Sequence, residues 1–342
     1  MATESTFLSA QGPFVGISCL PWRWQAQDGM RAPFALNIDF SRGTIRRRPG
    51  SKIIKYMGAS TAKAQRILGI KGFSAKDGTK LIAAVMWDEA AFATKFAVMT
   101  PGGDYVDSSM PVDMGVHPLG YPPNPWGWVS FEAIGGRLYF TSSHGRIHYY
   151  DYDEDPSAPK VVSVGKPIPK AEDSGGVPYL DNLPKASIIH SFGGLTVYAG
   201  IDQSSWCRFS VELAEGQTEL PPEHLDENSG AVRYPSNVFL VSNAGEPTNV
   251  KSAFWYSVGT GKEITGVASA GGVMLVMTED DVFAVRASGG EIASIEPVAR
   301  GIGCVSQQTI VTKGSQISWL SHHGAYTFTG QGVMKISGDI ED

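Results

Sequence analysis

Three consecutive arginines, Arg46, Arg47 and Arg48, are the sharpest concentration of charge in the 342-residue chain. On a strand, Arg46 and Arg48 share one face and Arg47 takes the other. Guanidinium groups so arranged pair with carboxylates of a neighbouring subunit or with phosphate. On a solvated edge they instead discourage unwanted strand pairing. The protein-interface role is favoured over DNA contact because of how charge is distributed. Residues 1–100 carry 14 Lys+Arg against 6 Asp+Glu, whereas the other 242 carry 14 against 28, giving +8 and −14. A basic leading segment on an acidic body suits a docking arm and a surface that repels nucleic acid.

Other reactive residue types are present, but their spacing does not complete a site. Asp151, Asp153, Glu154 and Asp155 sit together in DYDEDP and read as a solvated turn before a cation site. His144 and His148 flank a turn, and His322 and His323 are adjacent in another. Neither pair has the converging Cys, His or carboxylate partners that a metal needs, so all four read as surface or turn histidines. The chain has no G-x-S-x-G elbow and no H-E-x-x-H. Gly261-Lys262 resembles only the end of a phosphate-binding loop, with Tyr256 and Glu263 where glycine and Ser/Thr are required. The expectation is therefore no enzyme, no catalytic residue, no cofactor and no metal. Trp22 and Trp24, and Trp126 and Trp128, form two W-x-W pairs. Period two sets each pair on one strand face, for core packing or subunit contact. An exposed pair would serve as a carbohydrate platform, and a carbohydrate-binding or carbohydrate-cleaving protein is the alternative reading.

The elements that must position these residues are strands. Glycine is abundant at 40 residues, with 21 Pro and 35 aromatics. That mixture favours many short strands and tight turns. Helical periodicity is weak, and its best candidate, residues 61–69, is short. Apolar runs recur in a shared layout of mixed strand, glycine turn, apolar strand, polar turn and aromatic-bearing strand. Four such units are WVSFEAIGGRLYFTSSHGRIHYYD, ASIIHSFGGLTVYAGIDQSSWCRFS, ITGVASAGGVMLVMTEDDVFAVRA and QQTIVTKGSQISWLSHHGAYTFTG. An earlier unit runs from residue 66 to 100, with its glycine at Gly78. The glycines before the other central strands are Gly136, Gly194, Gly272 and Gly314. Repeats of this kind predict an all-β fold, a β-propeller with about five recognisable blades in preference to a β-sandwich. Residues 108–126, 153–184 and 215–235 are turn-rich and read as long inter-blade loops. The central pairs Leu138/Phe140, Leu195/Val197, Val273/Leu275 and Ile317/Trp319 are expected to occupy one equivalent place between blades.

Cys19, Cys207 and Cys304 are too few for a disulfide framework and read as buried or free thiols. The first residues, MATEST, lack the basic start of a signal peptide, and no apolar run reaches 18 residues, so membrane insertion is not expected. The division expected is 1–57, an N-terminal arm with a hairpin, and 58–342, the propeller. In the hairpin Leu36, Ile38 and Phe40 alternate, Arg42-Gly43 turns, and residues 44–48 return.

Several short motifs occur in order. Asn37, Phe40, Gly43, Ile45, Arg48, Pro49 and Gly50 follow N-x-x-F…G-x-L-x-x-R-P-G with Ile for Leu. Ser242, Gly245 and Pro247 follow S-x-x-G-x-P. Gly303, Ser306, Trp319, Leu320, Ser321, Gly324, Ala325, Tyr326, Ile336 and Ser337 follow G-x-x-S…F-L-S-x-x-G-V-Y…I-S, with Trp for Phe and Ala for Val. This order, over most of residues 34–340, resembles the β-propeller proteins of bacteriophage tails, including tail nozzle and packaged-DNA stabilisation hub proteins. The resemblance implies a structural virion component, assembled in the bacterial cytoplasm as a ring around the DNA conduit. It implies other tail or portal-ring proteins as partners, a homo-hexamer, and DNA that passes through during ejection without being held tightly. Arg46, Arg47, Arg48, Trp22, Trp24, Trp126 and Trp128 are then the expected assembly contacts. Family members often continue well beyond the I-S element, whereas this chain stops at Asp342, which leaves open a compact copy, a truncated one or one without its closing strands. A WD-type scaffold lacks its Gly-His…Trp-Asp signature here.

Non-specific DNA binders typically show Kd of ~10⁻⁴–10⁻⁶ M at physiological salt. With a net charge of −6 and an acidic body, this protein is expected to bind duplex DNA no more tightly. Fluorescence anisotropy with a labelled duplex measures this, and a submicromolar Kd would contradict it.

Overall fold

Short runs of Val, Ile, Leu and aromatic residues between glycine turns satisfy their backbone N–H and C=O groups most directly by pairing with the next run. The computed structural model describes residues 65–88, 93–102, 104–112, 129–142, 145–152, 160–164, 185–202, 234–259, 261–330 and 332–337, with eight further two-residue strands. The chain divides into two compact units, Met1–Ile53 with Lys335–Asp342, and Ile54–Met334. In the first unit, β1 (Gly16–Ile17) pairs in parallel with β2 (Arg31–Ala32). There β3 (Ile38–Asp39) pairs antiparallel with β4 (Arg46–Arg47), Ile38 opposite Arg47 and Asp39 opposite Arg46. That register is the one the expected hairpin requires.

The second unit holds five large sheets among the described residues, each of four antiparallel strands, in consecutive order in all but the third. The first sheet comprises β5 (Gln65–Ser74), β6 (Lys80–Asp88), β7 (Ala93–Met99) and β8 (Tyr105–Val112). The second comprises β9 (Val129–Ile134), β10 (Arg137–Ser142), β11 (His148–Tyr150) and β12 (Val161–Ser163). After β13 (Leu180–Asp181), the third sheet opens with β14 (Ala186–Phe192) and β15 (Leu195–Ile201). An excursion then carries β16 (Trp206–Cys207), β17 (Leu225–Asp226) and β18 (Ala231–Val232) before β19 (Val238–Asn243) and β20 (Glu246–Ser257) complete that sheet. The fourth sheet is β21 (Ile264–Ala270), β22 (Val273–Thr278), β23 (Asp281–Ser288) and β24 (Glu291–Arg300). A 3-10 turn at Gln307–Thr309 leads to the fifth, β25 (Val311–Lys313), β26 (Gln316–Ser321), β27 (Gly324–Phe328) and β28 (Val333–Lys335). The fold is all-β, built of several antiparallel sheets.

Two expectations about local structure are corrected. Residues 65–69, inside the one helix candidate, begin strand β5. The segment CRFSVEL is not the third strand of its sheet. That place is taken by β19, and Trp206–Cys207 instead joins β13, β17 and β18 in a separate small sheet. All three of the expected loop segments therefore carry strand residues: β8 runs to Val112 within 108–126, β12 and β13 lie within 153–184, and β17 and β18 lie within 215–235.

The sheets stack face to face in chain order. Phe73, Val85 and Phe96 of the first sheet meet Leu138, Phe140 and Tyr150 of the second. The Phe96 and Phe140 rings are parallel at 4.5 Å. Tyr139, from the other face of β10, packs with Ile189, Tyr198 and Leu240 of the third sheet. Val197, Ala199 and Phe239 meet Val267, Met274 and Val276 of the fourth. Leu275 and Met277 then meet Ile317, Trp319 and Phe328 of the fifth. All eight central-strand residues singled out above are buried, at 5% exposure or less. They are not equivalent, however. Leu138/Phe140 and Ile317/Trp319 face the preceding sheet, whereas Val197 and Leu275 face the following one. Aligning instead on the first residue of each turn makes Leu138, Thr196, Met274 and Ile317 equivalent. The one-residue offset reverses the face because side chains alternate.

Gly135-Gly136, Gly193-Gly194 and Gly271-Gly272 all have φ between 59° and 85°, the left-handed pair that a tight type I′ hairpin needs. At Gly69 a Cβ would lie 2.7 Å from the Phe131 ring, so glycine there lets β5 approach β9. Leu138→Ala and Leu275→Ala should each lower stability by ~2–5 kcal/mol in urea denaturation, the range for fully buried leucines. Leu320→Ala, at a position 47% exposed, should cost far less.

Candidate functional site

The first strands of successive sheets run beside one another, β5 by β9, β9 by β14, and β14 by β21. Alternation along these strands sets what meets at each junction. On β9, Val129 packs on the first sheet, so Ser130 and Glu132 point to the third. On β14, Ile188 and Phe192 face the fourth sheet, and His190 between them does the same. On β21, Val267 faces the third sheet, and Ser269 follows it. Glu132, His190 and Ser269, 58 and 79 residues apart in sequence, are thereby brought together.

The His190 Nε2 atom lies 2.8 Å from Ser269 Oγ, and Nδ1 lies 3.8 Å from Glu132 Oε1. Glu132 Oε1 also accepts the Ser191 N–H at 2.9 Å, which fixes the carboxylate. The side chains keep 17% of their surface exposed at His190 and 21% at Glu132, and Ser269 is half-buried. Burial pushes the His190 imidazole from the ordinary 6.5 down to about 4, and the positive charge of Lys71 acts in the same sense. Burial raises the Glu132 carboxyl, against the lowering effects of the Ser191 N–H and Lys71. With the proton on Nδ1 facing Glu132, the neutral ring offers Nε2 as acceptor to the Ser269 hydroxyl. The array can move a proton from a serine hydroxyl.

Three other side chains that reach a neighbouring sheet end on backbone groups. Ser130 Oγ accepts from Ile189 N–H at 3.2 Å, and Thr141 Oγ1 donates to Ala186 C=O at 2.7 Å. Gln307 pairs with both backbone groups of Val267 at 2.6 and 2.9 Å. These clasp neighbouring sheets where their first strands meet.

The residues singled out from sequence are distributed elsewhere. Arg46 and Arg47 lie on β4, while Arg48, Trp22, Trp24, Trp126 and Trp128 lie outside the described residues. Asp151 is engaged by Arg137 at 2.5 Å, and Asp153, Glu154 and Asp155 lie outside the described residues, as does His144. His148 is not a surface histidine. It is 4% exposed and stacks on Phe140 at 5.4 Å, because β11 turns it into the core. His322 is exposed and reaches Glu279 at 2.8 Å, and Lys262 pairs with Asp280. Cys304 is a buried free thiol. Among the described residues no three His, Cys, Asp or Glu side chains converge as metal ligands, and no helix is long and apolar enough to cross a membrane.

No protein family model and no curated protein matches the chain. Among solved structures, the Dos1 propeller aligns over 84% of this chain and 59% of its own, at 13% identity and a TM-score of 0.40. The AfRom2 CNH domain aligns over 76% and 62%, at 9% identity and 0.39. Kluyveromyces lactis Hsv2 aligns over 80% and 79%, at 12% identity and 0.31. The chain spans less than two thirds of the first two. At these scores no property of those proteins is carried over.

A histidine held neutral by burial makes the folded state lose stability as it is forced to accept a proton. Unfolded chains protonate their histidines near 6.5, so His190 should cost stability progressively as pH falls from about 6.5 to about 4. The loss should be on the order of 1–3 kcal/mol. Glu132, with its raised value, changes stability in the opposite sense on acidification. Comparing urea midpoints of the wild type and His190→Gln from pH 7.5 to 4 separates the two, and the variant should show the shallower acid decline.

Proposed function

We propose that the five large sheets are blades of a β-propeller and that the protein is a structural ring component of a bacteriophage tail. The observation that carries the reading is the order of weak motifs shared with phage-tail propeller proteins, from Asn37 to Ser337. Several of those residues hold turns in the described structure. Gly245 has φ 73° between β19 and β20, and Ser306 caps the 3-10 turn at Gln307–Thr309. In this reading the sheets form a rigid body. The basic leading segment and the long connections bury surface against neighbouring copies and other tail or portal-ring proteins. The acidic body favours passage of DNA over its retention. Function is assembly in the virion, with no chemistry required, and a homo-hexamer is the copy number the resemblance supports.

Arg46, Arg47 and Arg48 are assigned to assembly. Replacing all three with serine should leave the thermal midpoint within ~2 °C of wild type, as expected for surface changes within ±0.5 kcal/mol. It should also reduce ring formation seen by electron microscopy and mass photometry of the purified protein. Wild-type protein that stays monomeric at all accessible concentrations would overturn the ring. A large loss of stability with normal assembly would move the hairpin into the core.

A further inference from the structure

We propose that Ser269 is a reactive nucleophile, activated by His190 and positioned with help from Glu132, and that this junction of three sheets is an acyl-transfer site for small activated esters. The inference stands independently of the tail assignment. It begins with the contrast at the sheet junctions. Ser130, Thr141 and Gln307 reach backbone groups, whereas the Ser269 hydroxyl meets an imidazole nitrogen at 2.8 Å. The other nitrogen of that imidazole faces a carboxylate oxygen at 3.8 Å, and that oxygen is itself tied to the Ser191 N–H at 2.9 Å. Nucleophile and base are thus at hydrogen-bond distance, with a carboxylate at ion-pair distance behind the base, the order of groups that activates a serine.

Glu132 and His190 retain 21% and 17% of their surface, and Ser269 is half-buried, so the array meets solvent. At neutral pH the imidazole is uncharged, so its Nε2 lone pair is open to the Ser269 proton, and burial holds it a weaker base than free histidine. The groups bearing on it are Glu132 from β9, Ser269 from β21 and the charge of Lys71 from β5.

In the step proposed, Ser269 Oγ bonds to the ester carbonyl carbon while its proton passes to His190 Nε2 and the carbonyl π pair moves onto oxygen. That pair returns as the bond to the leaving oxygen breaks, and the leaving group takes the proton from His190. Water, activated by the same imidazole, then attacks the acyl-serine, releasing the acid and restoring the hydroxyl. No oxidant or reductant is needed.

The test uses the full chain and a fluorophosphonate probe, read by intact mass and peptide mapping. One adduct per chain is expected, on Ser269. Ser269→Ala should lose it, and His190→Gln should label about 10²–10⁴-fold more slowly, the range for a removed general base. Glu132→Gln should lower the plateau rate and move the acid limb of the rate–pH profile to lower pH, since a carboxylate favours the imidazolium. A merely structural contact would not move that profile. Mapping on wild-type protein needs no variant to fold. Failure of Ser269 to label under conditions that label a serine hydrolase overturns the proposal. So does labelling of His190→Gln at the wild-type rate.

Discussion

Because the second, third and fourth sheets each lie between two others, their second strands have no face left for water. β10 buries residues 138–142 in succession, and every residue of β15 and β22 is buried. Such strands must be apolar or internally hydrogen-bonded at every position, which is why they read LYFTS, LTVYAGI and VMLVMT instead of alternating. β26 obeys a different rule. Ile317 and Trp319 are buried against the fourth sheet while Gln316 and Leu320 are exposed, so its burial alternates. In β10, β15, β22 and β26 the presence or absence of a covering sheet is written into the period of the strand.

Placing apolar strands in consecutive contact leaves a polar difficulty at the edges where first strands meet, since side chains there sit at the boundary of burial. The protein resolves it by sending hydroxyl, amide and carboxylate groups from one sheet to the next. Thr265 Oγ1 reaches Cys304 C=O at 2.5 Å, Gln307 spans Val267, and Glu132 takes the Ser191 N–H. Trp319, deep in the last interface, still donates its indole N–H to Ile302 C=O at 3.0 Å. Each such bond removes an unmet polar group that would cost about 1–3 kcal/mol. The bonds also fix the register of one sheet against the next, which apolar contact alone leaves free to slide.

Much of this was legible in the chain because the signals are local. Gly-Gly between a mixed and an apolar run specifies a hairpin in three units, Asp77-Gly78 and Gly314-Ser315 do so in the other two, and the five repeats specify five sheets. What escaped was non-local. The run CRFSVEL follows β15 at hairpin distance, yet β19 pairs in its place. β19 reads VFLVSN and supplies four apolar residues in a row, whereas the alternation of CRFSVEL gives one apolar face and sets Arg208, Ser210 and Glu212 on the other. A central strand needing two apolar faces selects the former across an excursion of more than 30 residues, since each doubling of loop length costs only ~0.6 kcal/mol. The facing of Val197 and Leu275 failed for a smaller reason. Counting from the second glycine where the turn begins at the first shifts the strand by one residue, and one residue is a whole face.

The polar array at the third sheet was hidden by the same arithmetic. Glu132 and His190 each stand three residues before a Gly-Gly turn, and Ser269 stands two before. As single letters they are a glutamate in EAIGG, a histidine in HSFGG and a serine in SAGG, with no motif among them. Only when the units are superposed on the first turn residue, and the sheets stacked in chain order, do their alternating faces converge. Reactive groups in a repeat protein are therefore to be sought by column across repeats instead of by spacing along the chain. The spacing is set by whatever insertions lie between units, while the column is set by the strand pleat.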